Sequence, residues 1–241
     1  MVDLFDKEGL SFIFRWLHVL VGIAWIGLLY YFNFVQVPSF ATMGAPARME
    51  TIEKLATRAL WWFRWAAMAT AITGLLIIGA LGDDYDFDGA PGASILTGML
   101  LGLVMLGNVW SVIWPQQRTV IASAVSVNAG GQALPEAADA GRRALLASRQ
   151  NAMFSIPLVW FMVATSHWAP IAYDDFEGGK AFVYWILVIA IIAVLELKAL
   201  GVIGGTAPSQ LTWPYESVPN VLISGFVLWL VFLLIWQVLF G

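Results

Sequence analysis

Six long apolar segments constrain the fold more than any other feature of this sequence. A helix needs roughly 20 apolar residues to cross about 30 Å of hydrocarbon, and each segment is close to that length. In chain order the segments are Trp16–Val37, Phe63–Leu81, Ile95–Trp114, Asn151–Trp168, Ala181–Leu197 and Val221–Phe240. The connections leave no room for a water-soluble domain. The sequence therefore predicts an all-α integral membrane protein, a six-helix transmembrane bundle that forms one multi-pass domain over residues 1–241.

Composition agrees with this class and excludes several others. Hydrophobic residues make up 60% of the chain and charged residues 12%, whereas about a quarter of a soluble domain is charged. The chain has no cysteine, which excludes disulfides, zinc–thiolate sites and covalently attached c-type haem. The net charge of −4 without a basic tract argues against a nucleic-acid partner. No cleavage site follows the first apolar segment, so we expect that segment to remain as a helix.

The basic residues of the loops predict the orientation. Nine of the 12 lysines and arginines fall on one side of the predicted bundle: Arg48, Lys54, Arg58, Arg64, Arg118, Arg142, Arg143, Arg149 and Lys198. The loops on the other side are acidic. The positive-inside rule places the basic side in the cytoplasm. We therefore expect a protein of the bacterial inner (cytoplasmic) membrane with both termini in the periplasm, and an acidic outer face that favours a basic soluble electron carrier.

Several helices are expected to continue beyond the bilayer on the cytoplasmic side. Pro46 suits the first turn of a helix, and no helix-breaking residue interrupts residues 47–81. Polar helical stretches border the third and fourth segments at residues 117–128 and 136–150, separated by Ala129-Gly130-Gly131. We predict a layer of helical extensions there.

The two histidines of the chain are the candidate cofactor ligands. His18 and His167 lie at the outer edges of the first and fourth segments, so the topology places both imidazoles at nearly the same depth. Such a pair can hold a haem iron from both faces or a metal from one side. The absence of cysteine, and of a carboxylate at that depth inside the segments, favours haem b over zinc or copper. Gly22, one turn below His18, leaves room for a flat macrocycle. Alternatively, both histidines form hydrogen bonds between helices near the headgroups.

An acidic loop copies the start of a calcium-binding loop. Asp84, Asp86, Asp88 and Gly89 follow the pattern D-x-D-x-D-G, but the twelfth position is Ile95 instead of glutamate. We expect a solvated acidic loop that holds no calcium.

A second polar cluster is predicted near the cytoplasmic ends of the third and fourth segments. Its members are Asn108, Gln117, Arg118 and Arg149. Arginine forks, amides and neighbouring indole rings suit a flat, anionic, hydrogen-bonding substrate, although they equally suit lipid phosphates and an aromatic belt. This cluster would lie about 30 Å from the haem, which leaves open whether the substrate binds there.

Three blocks of sequence resemble the membrane-anchored urate hydroxylases (PuuD type). The blocks are RWLHVLVGIAWIG at residues 15–27, NVWSVIWPQQ at residues 108–117 and SRQNAMFSIPLVWFMVATSH at residues 148–167. They occur in the family's order. The first block alone also resembles other haem-binding membrane families, including the HemJ-like protoporphyrinogen oxidases.

This resemblance implies oxidation of urate to 5-hydroxyisourate, with electrons leaving through a cytochrome c domain. The sequence ends at Gly241, directly after its last apolar segment, so we expect a separate periplasmic c-type cytochrome as the partner. The first hypothesis is thus a urate-hydroxylase-like oxidoreductase. The second is a non-catalytic accessory or electron-transfer subunit that docks with other membrane subunits of a larger bioenergetic complex.

Overall fold

Every long element of the described chain is helical. The computed structural model describes residues 5–81, 87–169, 176 and 178–241. Within these residues six long helices follow one another: α1 Lys7–Thr42, α2 Ala45–Leu81, α3 Ala90–Asn128, α4 Ala137–His167, α5 Gly178–Ala199 and α6 Val218–Phe240. A short 3₁₀ turn, Trp213–Tyr215, precedes α6.

The helix ends follow from local sequence. Asp6 caps α1 by accepting a hydrogen bond from the Gly9 amide at 2.8 Å, and Ser217 caps α6 in the same way. Gly130 ends α3 with a φ of +83°, a left-handed conformation that glycine adopts without steric cost. The break predicted at Ala129-Gly130-Gly131 is confirmed. Helices also cover residues 117–128 and 137–150, and α2 begins with Pro46 in its first turn, so the predicted extensions are helical.

Three of the helices contain a π-helical segment that the sequence analysis did not predict. These segments are Tyr31–Gln36 in α1, Ile52–Ala56 in α2 and Asn108–Ile113 in α3. Each interrupts an otherwise regular α-helix. All three lie toward the end of the bundle that carries Lys54, Arg58, Arg118 and Arg143, which we call the basic end. Single π turns inside α-helices are frequent at functional sites.

Helix α4 lies at the centre of the bundle. It packs along α3 and α6 and also contacts α1 and α5, while α1 packs mainly along α2. Its side chains Leu146, Phe154 and Phe161 are fully buried. A close approach of α6 depends on Gly225, because a β-carbon there would lie 3.1 Å from the Met153 carbonyl oxygen.

Five of the six helices are long and apolar enough to cross a membrane: α1, α2, α3, α5 and α6. Their outer faces expose large apolar side chains, such as Ile23 in α1, Ile189 in α5 and Phe226 in α6, as lipid-facing surfaces do. Helix α4, which contains the predicted fourth span, is not among the five. It exposes only Val159 and Val163 of its large apolar residues, because the surrounding helices cover most of its surface.

A buried hydrogen-bonded chain links α3, α5 and α6. The Trp236 indole N–H donates to the Tyr184 hydroxyl at 3.0 Å, and that hydroxyl lies 2.6 Å from Thr97 Oγ1. Thr97 in turn donates to the Ala93 carbonyl at 2.8 Å, so the Tyr184 hydroxyl must donate to Thr97. The three linked side chains are at most 1% exposed. Trp236, Tyr184 and Thr97 therefore each donate to one acceptor.

Candidate functional site

His18 lies on the face of α1 that packs against α2. Its Nδ1 is 3.1 Å from Thr73 Oγ1, and its ring lies beside Gly74, where a β-carbon would be 3.3 Å from His18 Cε1. Thr73 has one hydroxyl proton, and the Ala69 and Thr70 carbonyls lie 2.8 and 3.0 Å from its oxygen to accept it. The hydroxyl oxygen therefore accepts from His18 Nδ1–H, which leaves Nε2 as the unprotonated nitrogen of the neutral ring.

His167 is the last residue of α4 and is exposed. Its Nδ1 lies 3.2 Å from the Val163 carbonyl oxygen, which can only accept. The proton of the neutral ring is thus on Nδ1, and Nε2 again carries the lone pair. Both histidines have the tautomer that a metal-ligating imidazole uses, with Nδ1–H held by a second partner.

The depths of the two histidines can be compared through one contact between α1 and α4. Tyr30 Oη lies 2.8 Å from Ser155 Oγ, where the two antiparallel helices meet. His18 precedes Tyr30 by 12 residues and His167 follows Ser155 by 12 residues. At 1.5 Å per residue each histidine is about 18 Å along its own helix from this contact, toward the end opposite the basic end. Among the described residues no hydrogen bond joins the two imidazoles.

The surroundings of His18 match part of the expectation for a macrocycle. Open space lies beside Gly22, since no atom would contact a β-carbon there within 4 Å. Trp25, a further turn along the same face, is 3% exposed, and its indole nitrogen has no hydrogen-bond partner among the described residues. The face of α1 below His18 thus carries both free volume and an unsatisfied donor.

The predicted polar cluster divides into separate places. Asn108 is buried in one hydrogen-bond network, Arg149 is buried in another, and Gln117 borders a cavity. Arg118 is exposed and forms no hydrogen bond or ion pair with the described residues. Arg64 of α2 places its guanidinium 3.7 Å from the centre of the Trp114 ring. The prediction that these residues face one another is therefore realised only in part.

The network around Asn108 contains a carboxylate that the sequence analysis missed. The Asn108 amide nitrogen lies 3.0 Å from Glu196 Oε2 and 3.0 Å from Asn151 Oδ1. Asn151 donates in turn to the Met105 carbonyl at 2.9 Å. Glu196 is the only carboxylate within the predicted fifth span, and an ionisable residue inside a membrane segment is by default a functional candidate. That signal was present in the sequence.

Arg149 fixes the loop before α6 and does not face open solvent. Its guanidinium donates to the Tyr215 carbonyl, and the Tyr215 hydroxyl donates to Gln150 Oε1 at 2.7 Å. Burial lowers the pKa of Arg149, and nearby Glu216 acts in the opposite direction. A guanidinium enclosed in this way holds structure together and is not placed to meet a soluble substrate.

Arg142 reinforces the same loop through a two-pronged ion pair. Its terminal nitrogens donate to the two oxygens of Glu216 at 3.0 and 2.6 Å, and its Nε donates to the Thr206 carbonyl at 2.8 Å. The hydrogen bond from Arg142 holds the pKa of Glu216 below its usual value. Two arginines of α4 thus anchor the connection between α5 and α6.

Most of the predicted acidic loop lies outside the described residues. Asp84 and Asp86 are not among them, while Asp88 is described and exposed. No group of three or more potential metal ligands occurs among the residues that the structure covers.

Comparison with known proteins gives one match. Residues 86–199, a little under half of the chain, match the family model described as urate oxidase N-terminal. This stretch is similar to the urate oxidase N-terminal family. The match confirms the family resemblance, and it covers the second and third blocks, α3, α4 and α5. Searches of curated proteins and of solved structures each gave no match.

The extent of the urate oxidase N-terminal match divides the candidate residues. It includes Asn108, Arg149, His167 and Glu196. It does not reach α1, so the resemblance of the first block, which contains His18, remains a prediction.

Proposed function

We propose that this protein is a urate-oxidase-like oxidoreductase domain of the inner membrane that holds a b-type haem between His18 and His167. The bundle would span the bilayer with six helices, α4 included, with the basic end in the cytoplasm and both termini in the periplasm. The family match over residues 86–199 supports the activity, and the five apolar helices support the membrane location. The geometry of the histidines supports the cofactor.

The observation that carries the cofactor proposal is the hydrogen bonding of the imidazoles. Both His18 and His167 donate from Nδ1, so both keep Nε2 free to ligate. A second-shell acceptor on the other ring nitrogen orients a ligating histidine and raises its basicity. Two histidines at the same distance from the contact of their helices, each with a free Nε2, would be suited to hold one haem.

Residues around His18 would have different roles in positioning the haem. Thr73 fixes the ring plane of His18, Gly74 allows that ring to lie against α2, and the space beside Gly22 admits the edge of a flat macrocycle. When bound, a b haem accepts and donates single electrons. At the depth of the histidines this cofactor would be close to the outer surface, where a separate c-type cytochrome would take the electrons.

Spectroscopy of the purified protein tests the cofactor directly. The reduced protein should show the sharp α and β bands of a six-coordinate low-spin b haem. His18→Ala and His167→Ala should each abolish that spectrum, because the chain has no other histidine and no cysteine. A protein without a Soret band, despite ample haem during expression, would contradict the proposal.

A matched pair of threonine variants tests the role of Thr73. Thr73→Val removes the acceptor for His18 Nδ1–H and should weaken haem binding by about 10–100-fold, the usual effect of losing such a partner. Thr70→Val, one turn away on α2, removes a hydroxyl that donates only to the Ala66 carbonyl and should leave haem binding unchanged. Equal behaviour of the two variants would refute the assigned tautomer.

The activity needs its own assay. Urate added to the oxidised holoprotein should reduce the haem, and a c-type cytochrome should then be reduced in turn. A protein with a low-spin b haem that urate does not reduce would be an electron-transfer subunit without urate chemistry.

A further inference from the structure

A cavity of about 200 Å³ lies at the basic end, between α1, α2, α3 and α4. It is separate from both histidines. Its polar lining comes from Asn33, Gln36, Gln117 and Ser148, and the remainder is mostly aliphatic, with the rings of Phe32, Phe40 and Phe63 beside it. No charged side chain lines it among the described residues.

All three π segments contribute to this cavity. Asn33 and Gln36 belong to the segment in α1, Ala56 to the segment in α2, and Ile113 to the segment in α3. A π turn inserts an extra residue into the helix and costs stability locally, so it persists where the changed side-chain direction is needed. Three independent helices deform beside the same space.

Asn33 carries the main evidence for a ligand. Its amide nitrogen donates to the Leu29 carbonyl at 2.9 Å and to Ser148 Oγ at 2.8 Å. A carbonyl oxygen only accepts, so the nitrogen and oxygen of the Asn33 amide cannot be exchanged. The amide oxygen, Oδ1, then has no hydrogen-bond partner, although the residue is 1% exposed.

The Gln36 amide adds a second acceptor of the same kind. Its Oε1 is also buried without a hydrogen-bond partner, and Gln36 lines the same cavity. A buried acceptor left unpaired is destabilising, and a bound donor removes that penalty. Two unpaired carbonyl oxygens in an uncharged, largely apolar space select against an anion and favour a neutral donor.

We infer that this cavity binds a small uncharged ring compound that donates N–H or O–H hydrogen bonds to Asn33 and Gln36. The volume is below the roughly 300–1,000 Å³ of sites for drug-sized ligands, so it suits one or two fused rings. The headgroup of a quinol and a neutral nitrogen heterocycle share this chemistry. The inference does not depend on haem binding.

Binding measurements on the purified full chain separate these sources. The probes are 2,6-dimethoxyhydroquinone, xanthine in its neutral form, and the urate monoanion, with binding followed by calorimetry. Saturable binding of the hydroquinone identifies a quinol site, and binding of xanthine identifies a site for a heterocycle. Failure of both neutral probes to bind, or tighter binding of the anion, overturns the inference.

Three variants link any binding to the cavity. Gln36→Met should weaken binding of the neutral probe by about fivefold to tenfold, the usual cost of one lost hydrogen bond. The control is Gln116→Met, which changes the same residue type at a position that does not line the cavity. Ala56→Leu fills the cavity from the α2 side and should abolish binding while the unliganded protein remains folded.

The variants also show when binding is elsewhere. Binding that survives both Gln36→Met and Ala56→Leu at wild-type strength would place the ligand outside this cavity and refute the assignment. A normal haem spectrum in both variants would show that the proposed haem site does not depend on this cavity.

Discussion

Tyr184 is predicted to be the residue whose hydroxyl contributes most to joining α5 and α6 to α3. Its hydroxyl accepts from Trp236 and donates to Thr97, and all three side chains are buried. Tyr184→Phe removes the oxygen atom that accepts the hydrogen bond from the Trp236 indole N–H. Thr97 keeps its own acceptor, the Ala93 carbonyl, so most of the loss falls on the indole.

The expected destabilisation follows from the loss of this buried hydrogen bond. An unsatisfied buried N–H costs about 1–3 kcal/mol, whereas hydrogen bonds between membrane helices average only about 0.6 kcal/mol in double-mutant cycles. We expect about 2 kcal/mol for Tyr184→Phe. For a chain of this length that corresponds to a fall in Tm of about 4–8 °C.

Thermal unfolding in detergent, followed by the fluorescence of the 13 tryptophans, measures this effect. Tyr31→Phe is the matched control, because its hydroxyl forms no hydrogen bond with the described residues. A double-mutant cycle with Trp236→Phe should give a coupling energy of about 1 kcal/mol or more between the two side chains. If Tyr184→Phe lowers the Tm no more than Tyr31→Phe does, the argument from the unpaired indole is wrong.

Three further predictions concern orientation, pH and packing. Because the chain has no native cysteine, single cysteine variants report topology without background labelling. Lys54→Cys should react with impermeant thiol reagents from the cytoplasm only, and Lys180→Cys from the periplasm only. The reverse pattern would show that the predicted orientation is wrong. Glu216 has a lowered pKa in the folded protein, so its contribution of about 1–2 kcal/mol to stability is present at neutral pH and is lost as the pH falls below about 4. Glu216→Gln should lower the Tm at pH 7 and remove that part of the pH dependence. An unchanged Tm would show that the ion pair with Arg142 contributes nothing to stability. Gly225→Ala should lower the Tm by forcing α6 away from the α4 backbone, at a cost of about 1–3 kcal/mol, and an unchanged Tm would show that the helices relax freely.

The helical architecture could be predicted from the sequence because its signals are local. Apolar length predicted the helices, and Pro46 and Gly130 marked a start and an end that the structure confirms. The π segments could not be predicted, because a π turn depends on packing between helices and leaves the apolar periodicity nearly unchanged. The cavity that they border was missed for the same reason.

The candidate site was harder to predict than the fold. Depth along the chain placed Asn108, Gln117 and Arg149 near one another, but only tertiary packing decides which face of a helix each side chain occupies. Arg149 therefore lies in a structural network with Tyr215, whereas Gln117 borders the cavity. Glu196 is a single acid in an apolar helix, and only tertiary packing brings its carboxylate to Asn108 of α3.

The central position of α4 has a consequence for how the protein is made. Segments are inserted into the membrane as they emerge from the ribosome. Each arginine or aspartate near the middle of a span opposes insertion into lipid by about 2.5–3.5 kcal/mol, and side-chain amides and hydroxyls also oppose insertion. Helix α4 carries Gln150, Asn151 and Ser155 in its middle part and gains its burial from α3 and α6. Helix α6 is synthesised after the other five helices, so it completes the environment that retains α4. A nascent chain halted before residue 218 would therefore lack the part of the cover of α4 that α6 provides.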